Sequence, residues 1–138
     1  MENTIIIELA GKITSKGRPR FSRKSGAVYT PKKTVNIERE LALLARSAMA
    51  NRDKIDGPVA VEVIAHFAIP KSVSKTAREK MLGSYVTKKP DADNIAKLVD
   101  AFNAIIFNDD AQISVLSVKK IYSDTERLVF RITNLSKT

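Results

Sequence analysis

From Val59 to Ile69 the sequence VAVEVIAHFAI puts Val59, Val61, Val63, Ala65, Phe67 and Ile69 on one side of an extended chain, the period of two expected of a strand with a buried face. Pro70 ends the run. Such a strand needs partners for its backbone groups and a second layer over its apolar side, so the chain is committed to a sheet packed against other elements. Gln112 to Ile121 and Glu126 to Thr133 read as further strands, the latter alternating Leu128, Phe130 and Ile132 with Val129 and Arg131. Two helical patterns supply the cover. Between Val35 and Ala50 the stripe is Ile37, Leu41, Leu44 and Ala48, with Thr34 as the expected N-cap. After Pro90 a second long helix is expected from the recurrence of Ile95, Leu98, Phe102 and Ile105, flanked by Val99 and Ile106. Ser74 is placed to cap a short helix running to Leu82, before Gly83. The 138 residues suit one domain over residues 1–138, able to bury roughly two-thirds of its unfolded surface. The prediction is a single compact α/β (α+β) domain, a mixed sheet flanked by two main helices, with a topology that the pattern does not fix.

Charge narrows the partner. Lys and Arg number 24 against 15 acids, a formal net charge of +9, which suits a polyanion and above all nucleic acid. The excess is local, because Gly11 to Lys33 carries Lys12, Lys16, Arg18, Arg20, Arg23, Lys24, Lys32 and Lys33 and no acid. With Gly17, Pro19, Gly26 and Pro31 beside Phe21, Val28 and Tyr29, this stretch reads as irregular backbone with a hairpin around Ser25 and Gly26. A solvated surface loop is the ordinary reading, and phosphate contact the favoured one. The candidate DNA-binding residues are Lys16, Arg18, Arg20, Arg23, Lys24, Lys32 and Lys33, together with Lys88 and Lys89. MENTIIIELAGK fits neither a secretion signal nor a membrane span, so a soluble cytoplasmic protein is expected. Without Cys, disulfides, thiolate zinc sites and cysteine nucleophiles are excluded. His66 is the only histidine and reads as a packed strand residue, which leaves no paired-histidine nuclease chemistry.

The acids cluster where the chemistry is most legible. Lys88-Lys89-Pro90-Asp91-Ala92-Asp93-Asn94-Ile95-Ala96-Lys97 is followed by Asp100 and then by Asn108-Asp109-Asp110-Ala111-Gln112-Ile113. On a helix, Asp93, Lys97 and Asp100 share a face nearly opposite the apolar stripe. An ordinary structural role is available to each: Asp91 as a cap, Asp93 favouring the helix dipole, Asp93 and Lys97 as an i, i+4 pair. The second cluster tips the balance, since a returning strand can carry Asp109 and Asp110 alongside the helix. Spacing alone leaves open whether the two clusters meet. Converging carboxylates repel unless a divalent cation neutralises them, and oxygen ligands without Cys or His suit Mg²⁺ or Mn²⁺. Such an ion can generate a hydroxide nucleophile for phosphodiester hydrolysis, with Lys97 placed to stabilise transition-state charge.

These residues resemble the RusA-type endodeoxyribonucleases that resolve Holliday junctions, a family common in bacterial prophages. KPDADNIAKLVDAFN followed by FNDDAQI is similar in order and spacing to the family pattern Lys-Pro-Asp-x-Asp-Asn-hydrophobic-x-Lys, Asp-Ala-hydrophobic-Asn, Asp-Asp-x-Gln-hydrophobic. KGRPRF and YTPKKT extend the likeness over nearly the whole chain. The resemblance implies that Asp91, Asp93 and Asp110 are metal-binding carboxylates, Lys97 a catalytic lysine and Asp109 a weaker metal candidate. It also implies Mg²⁺ as cofactor with Mn²⁺ as substitute, and a homodimer that places paired, symmetric nicks in four-way DNA during recombination and repair. One departure is Phe102-Asn103-Ala104, where many relatives have Leu-Asn-Gly. Two alternatives stay open: a metal-dependent nuclease acting on flaps or forks, and a non-catalytic branched-DNA-binding protein.

Overall fold

The apolar alternation at Val59 is realised in the computed structural model, which describes residues 3–13, 20–21, 28–29 and 32–136. Among them the strands are β1 (Thr4–Ala10), β2 (Arg20–Phe21), β3 (Val28–Tyr29), β4 (Val59–Ala68), β5 (Ile113–Ser123) and β6 (Arg127–Asn134). The α-helices are α1 (Lys32–Ala48), α2 (Lys75–Met81) and α3 (Ala92–Ala96), with 3-10 turns at Lys97–Phe102 and Asp110–Gln112. Along β4 burial alternates residue by residue, and Val59, Val61, Val63, Ala65 and Phe67 all face the core. The opposite face carries Glu62, Ile64 and a half-buried His66, so the histidine is a strand residue as expected.

Strand β4 lies inside a sheet of order β1-β6-β4-β5. It pairs antiparallel with β6, Val63 opposite Phe130, and parallel with β5, Val63 opposite Val118. A parallel pair requires a crossover, and the segment from Ala68 to Ile113 supplies it, carrying α2 and α3. Helices α1 and α3 and the Lys97–Phe102 turn contribute to the layer over the sheet's apolar face, where Phe102 meets Phe130 edge-on at 5.1 Å between ring centroids. The result is one mixed α+β domain. No helix among the described residues is long and apolar enough to cross a membrane.

Four local expectations are corrected. The first is β1: no strand is expected over Thr4–Ala10, because three consecutive isoleucines mask a period of two, yet Ile5 and Ile7 are buried and Ile6 is 59% exposed. Helix α1 begins at Lys32, so Thr34 lies inside it and is not the cap. In the sequence, a proline immediately before Lys32 is the signal for this earlier start, since proline is tolerated at a helix entrance and not within a helix. The buried row of α1 is Ile37, Leu41, Ala45 and Met49, a strict i+4 ridge, whereas Leu44 is exposed and Ala48 only half-buried. The short helix α2 matches its prediction, with Ser74 accepting from Ala77 N at 3.2 Å.

The fourth correction touches the site. The second long helix is instead a five-residue α-helix that tightens into the 3-10 turn Lys97–Phe102. At three residues per turn, Val99 and Phe102 superpose and both are buried, while Lys97 and Asp100 superpose on the outer side. The turn stops at Asn103 because Ala104 adopts φ +65°, the left-handed region that costs an L-residue about 1–2 kcal/mol. This is the position at which the sequence departs from the glycine of its resemblance. Ala104→Gly is therefore expected to stabilise the fold by about 0.5–1 kcal/mol, once the extra freedom of glycine in the unfolded chain is subtracted. Urea melts of the two proteins check the sign.

Candidate active site

The acids are presented by two short elements that flank β5. Asp91 occupies the N-cap position of α3 with extended backbone (φ −67°, ψ 150°), yet its side chain makes no capping hydrogen bond. Asp93 sits in the first turn, and both carboxylates are exposed. Lys97 donates to Asn94 Oδ1 at 3.4 Å, a contact that takes the place of the expected ion pair with Asp93. The α-turn followed by the 3-10 turn keeps Asp93, Lys97 and Asp100 on one side, a row of acid, base, acid.

The second cluster closes the far end of that row. Asp109 caps the turn Asp110–Gln112, its Oδ2 accepting from Ala111 N at 3.1 Å, so part of its carboxylate is engaged in structure. Gln112 ties this turn down with four bonds. Its Oε1 accepts from Asn108 N at 2.7 Å and Asp109 N at 3.1 Å, and its Nε2 donates to Ile55 O at 2.7 Å and Gly57 O at 2.9 Å. Gln112→Leu would leave two amides and two carbonyls without those partners, a loss of about 2–4 kcal/mol at roughly 1 kcal/mol per bond, readable as a lowered urea midpoint.

Asp110 is brought against Asp100, which shares the helical face of Lys97 but is not among the expected metal ligands. Partial desolvation, then hydrogen bonding to Asp100 and the charges of Asp109 and Asp100, raise the Asp110 carboxyl above its usual range. Lys97, Asp100 and Asp110 line one open cleft of about 310 Å³ with Ala96, Val99, Ile113 and Leu116. Asp91 and Asp93 do not line it. Among the described residues no three acid or histidine side chains form a ready-made metal cage. The donor set nevertheless fits Mg²⁺, which holds to one or two carboxylates and keeps its waters for the substrate. The Asp100–Asp110 pair supplies two hard oxygen donors whose mutual repulsion a divalent cation relieves.

The expected basic surface is only partly in view. Lys16, Arg18, Arg23 and Lys24 lie outside the described residues, Arg20 is in β2, and Lys32 and Lys33 open α1. Pairing of Arg20 with Tyr29 and of Phe21 with Val28 agrees with the hairpin expected there. Lys88 and Lys89 are exposed, separated from Asp91 by Pro90.

The family model described as Endodeoxyribonuclease RusA matches residues 10–133, spanning both acid clusters and the sheet. The chain belongs to the RusA endodeoxyribonuclease family. It is also 36% identical over 133 residues to the "Uncharacterized protein YqaN" of Bacillus subtilis (strain 168), covering 91% of this chain and 93% of that one. Membership of the RusA family carries phosphodiester hydrolysis in DNA as the general activity, and an exposed row of carboxylates beside a lysine is chemically suited to it.

Proposed function

We propose that this protein is a Mg²⁺-dependent, structure-specific endodeoxyribonuclease that resolves four-way junctions, acting as a homodimer with one site per subunit. The observation that carries the reading is the apposition of Asp110 with Asp100 beside Lys97, in a chain of the RusA family with net charge +9. Asp91, Asp93 and Asp110, with Asp100 joining them and Asp109 in a lesser role, are the carboxylates from which the metal would draw its one or two direct ligands, Mg²⁺ in the first place and Mn²⁺ as substitute. A bound ion supplies a Lewis acid and an activated water. The chain's own residues do the rest. Lys97 would meet negative charge developing on the phosphate, and Lys88 and Lys89 would hold the flanking backbone. Two symmetric cuts need two sites, which a two-fold dimer provides.

The test is incubation with a labelled synthetic four-way junction and with linear duplex, each with Mg²⁺ or EDTA. Symmetric, Mg²⁺-dependent nicks confined to the junction are expected. Equal cutting of flaps or forks would reassign the substrate, and tight binding without cleavage in any metal would sink the enzymatic reading. Neutralising Arg18 and Arg20 together is expected to weaken junction binding and to reduce the slope of log K against log salt by about two, as the loss of two phosphate contacts requires. An unchanged slope would remove that segment from the interface.

A further inference from the structure

Between α2 and α3 the chain runs back along β5. Gly83 N donates to Tyr122 O at 3.0 Å, Tyr122 N to Ser84 O at 3.0 Å, and Val86 N to Lys120 O at 2.9 Å. Main-chain pairing then stops. The next two points of attachment are made by a side chain: the Lys120 ammonium donates to Lys88 O at 2.7 Å and to Pro90 O at 3.0 Å. Asp91 is the following residue. Lys120 is itself well fixed, half-buried and opposite Ala65 in the β4–β5 register, with its ammonium 5.9 Å from the centre of the Phe67 ring. Lys88 rests on the same aromatic surface, 5.7 Å from Phe67 and 5.8 Å from Tyr122.

A helix of five residues does not hold its own direction, because nucleation is unfavourable and so short a helix gains few bonds in return. Its entry must be set from outside. Bonds from an ammonium are stronger than those between neutral groups, and two of them converge on the residues that lead into α3. We propose that Lys120 is a positioning residue: by holding the Lys88 and Pro90 carbonyls it fixes where Asp91 and Asp93 stand, and thereby the affinity of the site for a divalent cation. This rests on the metal-binding role given to those acids above. It also separates Lys120, which grips main-chain carbonyls, from Lys88, whose exposed side chain lies over Phe67 and Tyr122, and from the exposed Lys89.

The experiment compares the full-length protein with Lys120→Met, which keeps most of the stem and deletes the donor. Hydrogen exchange without metal is expected to rise at least tenfold at residues 91–97 and to stay unchanged in β1 and β6. Mn²⁺ binding, followed by the spin-resonance signal of the free ion, is expected to weaken tenfold or more. Junction affinity in EDTA is expected to change less than twofold, with its salt slope intact. Should Lys120→Met not fold, Lys120→Gln, polar and too short to reach both carbonyls, is read in the same way. Unchanged exchange and Mn²⁺ affinity would overturn the proposal. So would a salt slope reduced by about one with metal affinity intact, which marks a phosphate contact. A wild-type protein that binds no Mn²⁺ and cuts no DNA sinks the metal reading instead, and exchange at residues 91–97 then decides alone whether Lys120 holds the turn.

Discussion

Asp110→Asn is expected to reduce cleavage of a four-way junction by on the order of 10³-fold while leaving junction binding in EDTA within a factor of two. The amide keeps the shape of the side chain and removes the charge that a hard cation requires. Because Asp110 stands against Asp100 and Asp109, losing its charge also relieves repulsion in the metal-free protein. Its folded-state pKa is raised, so ionisation there disfavours the fold, and wild-type stability in EDTA falls as pH rises above the ordinary value of 3.8. Asp110→Asn removes that fall. The variant is therefore expected to melt no lower than wild type at pH 7, with the difference vanishing in acid. A variant that cuts normally would remove Asp110 from the chemistry. One that loses both cleavage and stability would make its role structural.

The largest stability effect is expected at Phe102. It is fully buried, it ends the 3-10 turn that carries Lys97 and Asp100, and its ring meets Phe130 edge-on with an interplanar angle of 87°. Phe102→Ala opens a cavity between that turn and the sheet, at a cost of about 3–5 kcal/mol including the ring pair. Against a total stability of about 5–15 kcal/mol this lowers the melting temperature by roughly 10–20 °C. Phe102→Leu, which keeps most of the apolar volume, is expected to cost about 1 kcal/mol. Since Lys97 and Asp100 ride on the same turn, the Ala variant should also lose activity below its melting point. A melting temperature within a few degrees of wild type would show that the turn is held by other contacts.

Much of this was legible locally. The alternation in β4 named its buried residues correctly because each side chain's face is fixed by its parity along the strand. The same rule failed for β1, where Ile6 interrupts the pattern, and was rotated for α1, where Leu44 suits a three-residue step that the actual Ile37–Leu41–Ala45–Met49 ridge does not take. The stripe after Pro90 correctly named Ile95, Leu98, Val99 and Phe102 as core. It could not report the tightening into a 3-10 turn, because both helix types bury those positions.

The sequence by itself determined the chemistry on offer: carboxylates in two clusters around one lysine, no thiol, one strand-borne histidine and a strong basic excess. These are properties of residue type and short spacing, and they survive any arrangement of the elements. Tertiary structure decided which acids meet. Asp110 reaches Asp100 because β5, which follows it, is seated parallel on β4, while Gln112 pins the intervening turn to Ile55 and Gly57. Lys120 grips the entry to α3 for the same reason, thirty residues from the carbonyl it holds at Pro90. Such contacts depend on long-range strand pairing, and a periodic pattern records only which side of an element is apolar, not what that element will lie against.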